Sequence, residues 1–195
     1  MRHLLARCFP MLLCSWLAGC DFGEASPEPD GGTLTDGGVQ DPSEQSPLAR
    51  DMLAAHNQVR ATASPAPVPA LAPLAWSVNA ATTAQAWADQ CKFEHNSKRG
   101  NLGENIAAAT QGGLSNTGVV TNWAAEAASY DYGLNACAPG KQCGHYTQIV
   151  WRNTTHVGCA MKLCDKNSPF QGFTRWEFWV CNYSPPGNFV GQRPY

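Results

Sequence analysis

A chain of 195 residues, 44% hydrophobic and 14% charged, is long enough for one well-packed domain with extra segments. Its 13 Lys and Arg face 15 Asp and Glu, a formal net charge of −2. That balance excludes a nucleic-acid partner, since phosphate binding calls for a basic surplus.

Residues 1–19 read as a targeting leader. Arg2 and Arg7 form a positive n-region, and Phe9 to Leu17 is an apolar h-region too short to span a bilayer as a stable helix. Leu17-Ala18-Gly19-Cys20 is similar to a bacterial lipobox, in which the cysteine is acylated and becomes the new N-terminus; this reading is favoured over an ordinary cleavage site. Acyl chains on Cys20 would anchor the protein to a membrane, each buried methylene contributing about 0.8 kcal/mol. Asp21 to Gln45 is rich in Gly, Pro, Asp, Ser and Glu and cannot bury enough apolar surface to offset its ordering entropy, so residues 20–45 are expected to be a disordered tether.

The domain begins at Ser46, an N-cap before Pro47 at the first helical position, with Leu48, Met52, Leu53, Ala55 and Val59 on one helical face. His56, Asn57 and Arg60 on this helix are read as hydrogen-bonded structural residues. Ala61 to Pro73 is a loop, and the helix ends before Pro65. Ser77 caps a second helix through Cys91, and Val119 to Tyr130 makes a third, with Val119, Trp123, Glu126 and Tyr130 on one face. From Tyr146 to Trp151 the alternation of β-branched and aromatic residues predicts a strand. Arg152 to Thr155 would turn it into a second strand over Val157 to Leu163, and Trp176 to Tyr183 would add a third. Helices before and between late strands predict an α+β fold, a small antiparallel sheet between helical layers.

Four separated motifs carry a family resemblance: WADQCKFEHN at Trp87 to Asn96, LGENIA at Leu102 to Ala107, NWAAEAASYDY at Asn122 to Tyr132, and GHYTQIVWRNTTHVGCA from Gly144 with the ending CNYSPPGNFVGQRPY. Together they resemble the CAP superfamily of cysteine-rich secretory proteins, antigen 5 and plant pathogenesis-related 1 proteins. The resemblance covers residues 46–195, and the tail is nearest the plant branch. It implies an α-β-α sandwich, in agreement with the local reading.

Of nine cysteines, Cys8 and Cys14 fall in the leader and Cys20 in the lipobox, leaving an even six for an oxidising, extracytoplasmic compartment. Sequence alone permits fifteen pairings. The resemblance implies Cys91 with Cys164, Cys137 with Cys143 and Cys159 with Cys181. The last two also make local sense, as neighbouring strands and as a short loop around Pro139 and Gly140. A zinc-thiolate centre is disfavoured, because no CxxC pair occurs.

The resemblance also implies a cleft formed by His95, His145, Glu104 and Glu126. Neutral imidazoles suit Zn²⁺ or another divalent metal, with carboxylates completing or orienting the shell. A binding or structural role is favoured over catalysis. A hydrolase would use Glu104, Glu126 or Ser97, which lies two residues beyond His95. A lipid or sterol ligand is an alternative, its contacts expected at Tyr130 and Tyr132. A defence or signalling role is a third, because Pro185 to Tyr195 matches a tail that plant relatives are thought to release; simple packing of that tail is favoured.

Overall fold

The computed structural model describes residues 46–195. The leader, Cys20 and the tether lie outside the described residues. Helix α1 (Pro47–Ala61) starts as expected, with Ser46 Oγ accepting the Ala49 amide at 3.2 Å and proline in the first turn. It buries Ala49, Met52, His56 and Arg60 at helical spacing.

Ser77 caps α2 (Val78–Ala88), whose buried face is Ala80, Ala84 and Ala88. This helix stops three residues short of Cys91, which takes φ +51°, a left-handed conformation that a helix cannot continue through. The third helix begins earlier than its apolar face suggested. Ser115 caps α3 (Asn116–Ala125) through the Gly118 amide, and a 3₁₀ turn over Glu126–Ser129 follows.

The sheet has four strands rather than three, β1 (Ala75–Trp76), β2 (Gly103–Thr110), β5 (His156–Cys164) and β6 (Trp176–Ser184), in the order β1-β5-β6-β2. Only the β1–β5 pair is parallel. A separate two-stranded ribbon joins β3 (Tyr130–Asp131) to β4 (Ala136–Cys137). Strand β2 had no β-branched run to announce it; its alanines are held extended by pairing along β6 from Gly103–Tyr183 to Thr110–Trp176.

The predicted strand over Tyr146 to Trp151 is instead α4 (Gly144–Ile149) and a turn. All six residues are buried, so the alternation never separated a wet face from a dry one. Helix is favoured here because the Glu126 carboxylate accepts the free amides of His145 and Tyr146 at 3.0 and 3.2 Å. The hairpin expected across Arg152 to Thr155 is replaced by pairing of β5 with β6.

One sheet face carries Trp179, Cys181 and Tyr183 against α1, α3 and α4. The other carries Trp176, Phe178 and Val180 against α2. All three implied disulfides are present, and Cys159 lies directly opposite Cys181 in the β5–β6 register.

Two buried polar residues of α1 tie the layers together. Arg60 is 2% exposed and donates to the Ala72, Ile149 and Trp151 carbonyls at 2.8 to 2.9 Å and to Thr154 at 3.5 Å. Burial, with help from Arg152, pulls its pKa down to about 10, so it stays charged at neutral pH. His56 donates from Nδ1 to the Met52 carbonyl at 2.7 Å and accepts at Nε2 from the Tyr183 hydroxyl at 2.8 Å. Asn105 donates in turn to the Tyr183 hydroxyl at 2.9 Å and to the His145 carbonyl at 3.1 Å, which carries the network from α1 to α4.

Candidate functional site

Each candidate histidine is gripped at Nδ1 by its own carboxylate. On the loop between α2 and β2, His95 Nδ1 donates to Glu104 Oε1 at 2.8 Å, and the same oxygen accepts the Asn96 amide at 2.9 Å. Glu104 Oε2 receives Asn182 Nδ2 at 3.4 Å. This carboxylate is fully buried at 0% exposure, whereas the His95 side chain is 56% exposed. Three partners thus offset the desolvation of one charge, and the histidine is held at the surface by a group beneath it.

The second pair repeats the device. His145 opens α4 and donates from Nδ1 to Glu126 Oε1 at 2.6 Å, while Glu126 Oε2 accepts the two α4 amides described above. Trp123 of α3 stacks on the His145 ring with centroids 5.6 Å apart and planes at 21°. Ring orientation and tautomer are therefore set on both histidines, leaving Nε2 as the nitrogen available to a ligand.

A cleft of about 260 Å³ lies between them, lined by His95, Glu104, Asn105, Gln142, Gly144, His145 and Asn188. Three of the four expected residues share this cleft. Glu126 does not line it and sits behind His145. Among the described residues, the ligand atoms of His95, Glu104 and His145 do not form a set all within 4.8 Å of one another. His95 and His145 are the two lining residues whose imidazole nitrogens could hold a divalent cation, which would there polarise a bound water or ligand oxygen. Ser97 is exposed, outside the cleft lining, and makes no hydrogen bond to His95 among the described residues.

The pair Tyr130 and Tyr132 is engaged elsewhere. Tyr130 donates to Asn135 Oδ1 at 2.6 Å, and Tyr132 donates to the Tyr195 carbonyl while its ring stacks on Tyr195 at 4.8 Å. Neither lines the cleft. Three lining amides, Asn105, Gln142 and Asn188, escaped the sequence reading. Two of them sit inside quoted motifs, Asn105 beside Glu104 and Asn188 in the tail, so the signal was present but carried no ionisable chemistry to mark it.

Two other places are weaker candidates. Ligand atoms of His56, Cys159 and Cys181 lie within 4.8 Å of one another, but the sulfurs are bonded to each other as a disulfide and offer no thiolate. A larger recess of about 440 Å³ over β5, bounded by Leu48, Trp76, Ala81 and Met161, holds no ionisable side chain.

Comparison with known proteins places the same residues in one family. The model described as "CAP: Cysteine-rich secretory protein family" matches residues 53–183. Pathogenesis-related leaf protein 4 of Solanum lycopersicum is 39% identical over 148 residues, 75% of this chain and 82% of that protein. Peptidase inhibitor 16 of Homo sapiens is 41% identical over 148 residues, and the chain spans only 31% of its length. Among solved structures, venom allergen-like protein 4 of Schistosoma mansoni matches with TM-score 0.62 at 26% identity, over 77% of this chain and 95% of the other. The crystal structure of NaASP2 with Zn²⁺ matches with TM-score 0.60 at 25% identity, over 77% and 86%.

Proposed function

The chain belongs to the cysteine-rich secretory protein (CAP) family, and on that premise we propose that it is an extracytoplasmic binding domain whose His95 and His145 hold a divalent cation such as Zn²⁺. The observation that carries this is the paired Nδ1–carboxylate contact at 2.8 and 2.6 Å, the outer-shell arrangement that readies imidazole Nε2 for a metal. A bound ion would polarise a water or a ligand oxygen in the cleft. The binding reading is preferred to hydrolysis because Glu104 and Glu126 each already accept three hydrogen bonds, one of them from an imidazole Nδ1, so both carboxylates are engaged in orienting the histidines. A lipid or sterol ligand at Tyr130 and Tyr132 is disfavoured, since Tyr195 stacks on Tyr132 and the Tyr130 hydroxyl is bonded to Asn135.

Zinc titration calorimetry of metal-stripped protein tests the reading. His95→Ala and His145→Ala should each weaken binding at least about tenfold, and Glu126→Gln, acting through His145, by up to about tenfold. His156→Ala should leave it unchanged. Absence of saturable binding tighter than about millimolar, or equal loss in the His156 control, would refute the proposal.

The same reading tethers the domain to a membrane through an acyl group on Cys20, supported by the Leu17 to Cys20 pattern and by three disulfides suited to an oxidising compartment. Intact-mass analysis of the mature protein should find acyl mass on Cys20, and loss of that mass in Cys20→Ser. A mature wild-type chain with an unmodified N-terminus would overturn the anchor.

A further inference from the structure

Residues 185–195 run back across α4 as a strap whose contacts fall on both ends of that short helix. At its first turn Asn188 Nδ2 donates to the Gly144 carbonyl at 2.8 Å, and Asn188 Oδ1 accepts from Thr147 Oγ1 at 2.7 Å. In the middle, the Gly187 amide donates to Gln148 Oε1 at 3.0 Å. Beyond its last turn the Arg152 amide donates to the Pro194 carbonyl at 2.7 Å. Arg193 reaches the Tyr132 and Gly133 carbonyls at 3.1 and 2.7 Å, fixing the far end of the strap to the ribbon.

Asn188 is the residue where strap and cleft meet. It lines the cleft together with His95 and His145, and its two polar side-chain atoms bond Gly144 and Thr147, one residue before and two after His145. It adopts φ +60°, a conformation open to Asn and Gly at little cost, so its place on the strap suits an amide that must face inward from a tight bend. Room for this approach is also provided for: a Cβ on Gly187 would sit 2.6 Å from Trp151 Cγ.

We propose that Asn188 is a positioning residue of the histidine cleft, and that the strap, by clasping the first turn of α4, holds His145 against Glu126 in the orientation that accepts a cation. This rests on the metal reading above for its functional consequence, though not for its geometry. Fixing a ligand before the ion arrives lowers the ordering cost of binding, and by linkage a bound ion must steady the strap by the same factor.

Asn188→Gly keeps the backbone conformation and removes both side-chain bonds, whereas Asn188→Asp keeps only the acceptor toward Thr147. Zinc affinity should fall about tenfold in Asn188→Gly and by less in Asn188→Asp. Val157→Ala, a buried β5 change, should lower stability without altering affinity. In metal-free protein the low-field His145 Nδ1 proton, observed by NMR, should broaden in Asn188→Gly while that of His95 stays sharp. Hydrogen exchange at the Gly187 amide should slow when zinc is added to the wild type. Unchanged affinity together with an unchanged His145 proton would overturn the proposal, as would an equal affinity loss in Val157→Ala. If the wild type binds no zinc yet the His145 proton responds to Asn188→Gly, the metal reading falls and the positioning role stands; if neither responds, both fall.

Discussion

Gly158→Ala should abolish or nearly abolish folding, with a loss of about 4 kcal/mol or more. Gly158 lies on β5 opposite Asn182, under the first turn of α2. A Cβ there would stand 2.2 Å from the Ala81 nitrogen, 2.3 Å from the Ser77 carbonyl oxygen and 2.8 Å from the Ala80 carbonyl carbon. All three are backbone atoms, so no side chain can swing aside. The helix would have to lift off a sheet to which Ser77 is also bonded, its amide donating to Val157 at 2.9 Å. Lifting α2 would open the contact of Ala80, Ala84 and Ala88 with the sheet, where small side chains allow close approach. Since a domain of this size is stable by only about 5 to 15 kcal/mol, the variant should be recovered poorly and unfold at much lower urea. An unfolding free energy from urea titration within about 1 kcal/mol of wild type would show that the helix has slack the packing does not reveal.

Acid should cost about 3 kcal/mol of stability between pH 6.5 and 4 through His56 alone. Burial is the main reason its pKa is lowered to about 4, and Arg60 adds repulsion, although the Met52 carbonyl pulls the other way. The unfolded chain, with an ordinary histidine, takes up a proton as pH falls through 6.5, but the folded chain does not until about pH 4. Stability is therefore complete above the unfolded pKa, declines through the window between the two values, and levels off for this group below the lower one. Protonation would also turn Nε2 from an acceptor into a donor, so that the Tyr183 hydroxyl would have to accept from both His56 and Asn105 and its own proton would lose its acceptor. The His56 ring signal should stay at its neutral position in NMR spectra from pH 8 to 5, and urea midpoints should drop over the same range. A His56 resonance that titrates near 6.5 would refute this.

Much of the fold was legible because it depends on short-range chemistry. Ser46 and Ser77 announce their helices by hydroxyls that reach amides three residues on, and the late strands β5 and β6 show in runs of apolar residues. The candidate site was legible through motifs rather than spacing, since His95 and Glu104 meet across nine residues and Glu126 and His145 across nineteen. What stayed hidden was decided by distant partners. Strand β2 exists by pairing with β6, and α4 is stabilised by a carboxylate eighteen residues before its first residue. Gln148, 2% exposed, falls inside the strand predicted over Tyr146 to Trp151. It proves to be a pin between two glycines, for a Cβ on Gly103 would meet its Oε1 at 2.1 Å and one on Gly187 would meet its Nε2 at 2.9 Å.

The placement of the histidines has an evolutionary consequence. His95 stands 56% exposed above a carboxylate that keeps the Asn96 amide and Asn182 as partners if the imidazole is lost. Drift at that position would therefore remove an exposed imidazole from the cleft while two of the three bonds to the buried carboxylate stay in place. Gly103 and Asn105, on either side of Glu104 in β2, have less freedom: a Cβ on Gly103 would meet Gln148 Oε1 at 2.1 Å, and Asn105 donates to both the Tyr183 hydroxyl and the His145 carbonyl. A lineage carrying this architecture can therefore vary the exposed imidazole by single substitutions, while selection for folding alone keeps the frame around it.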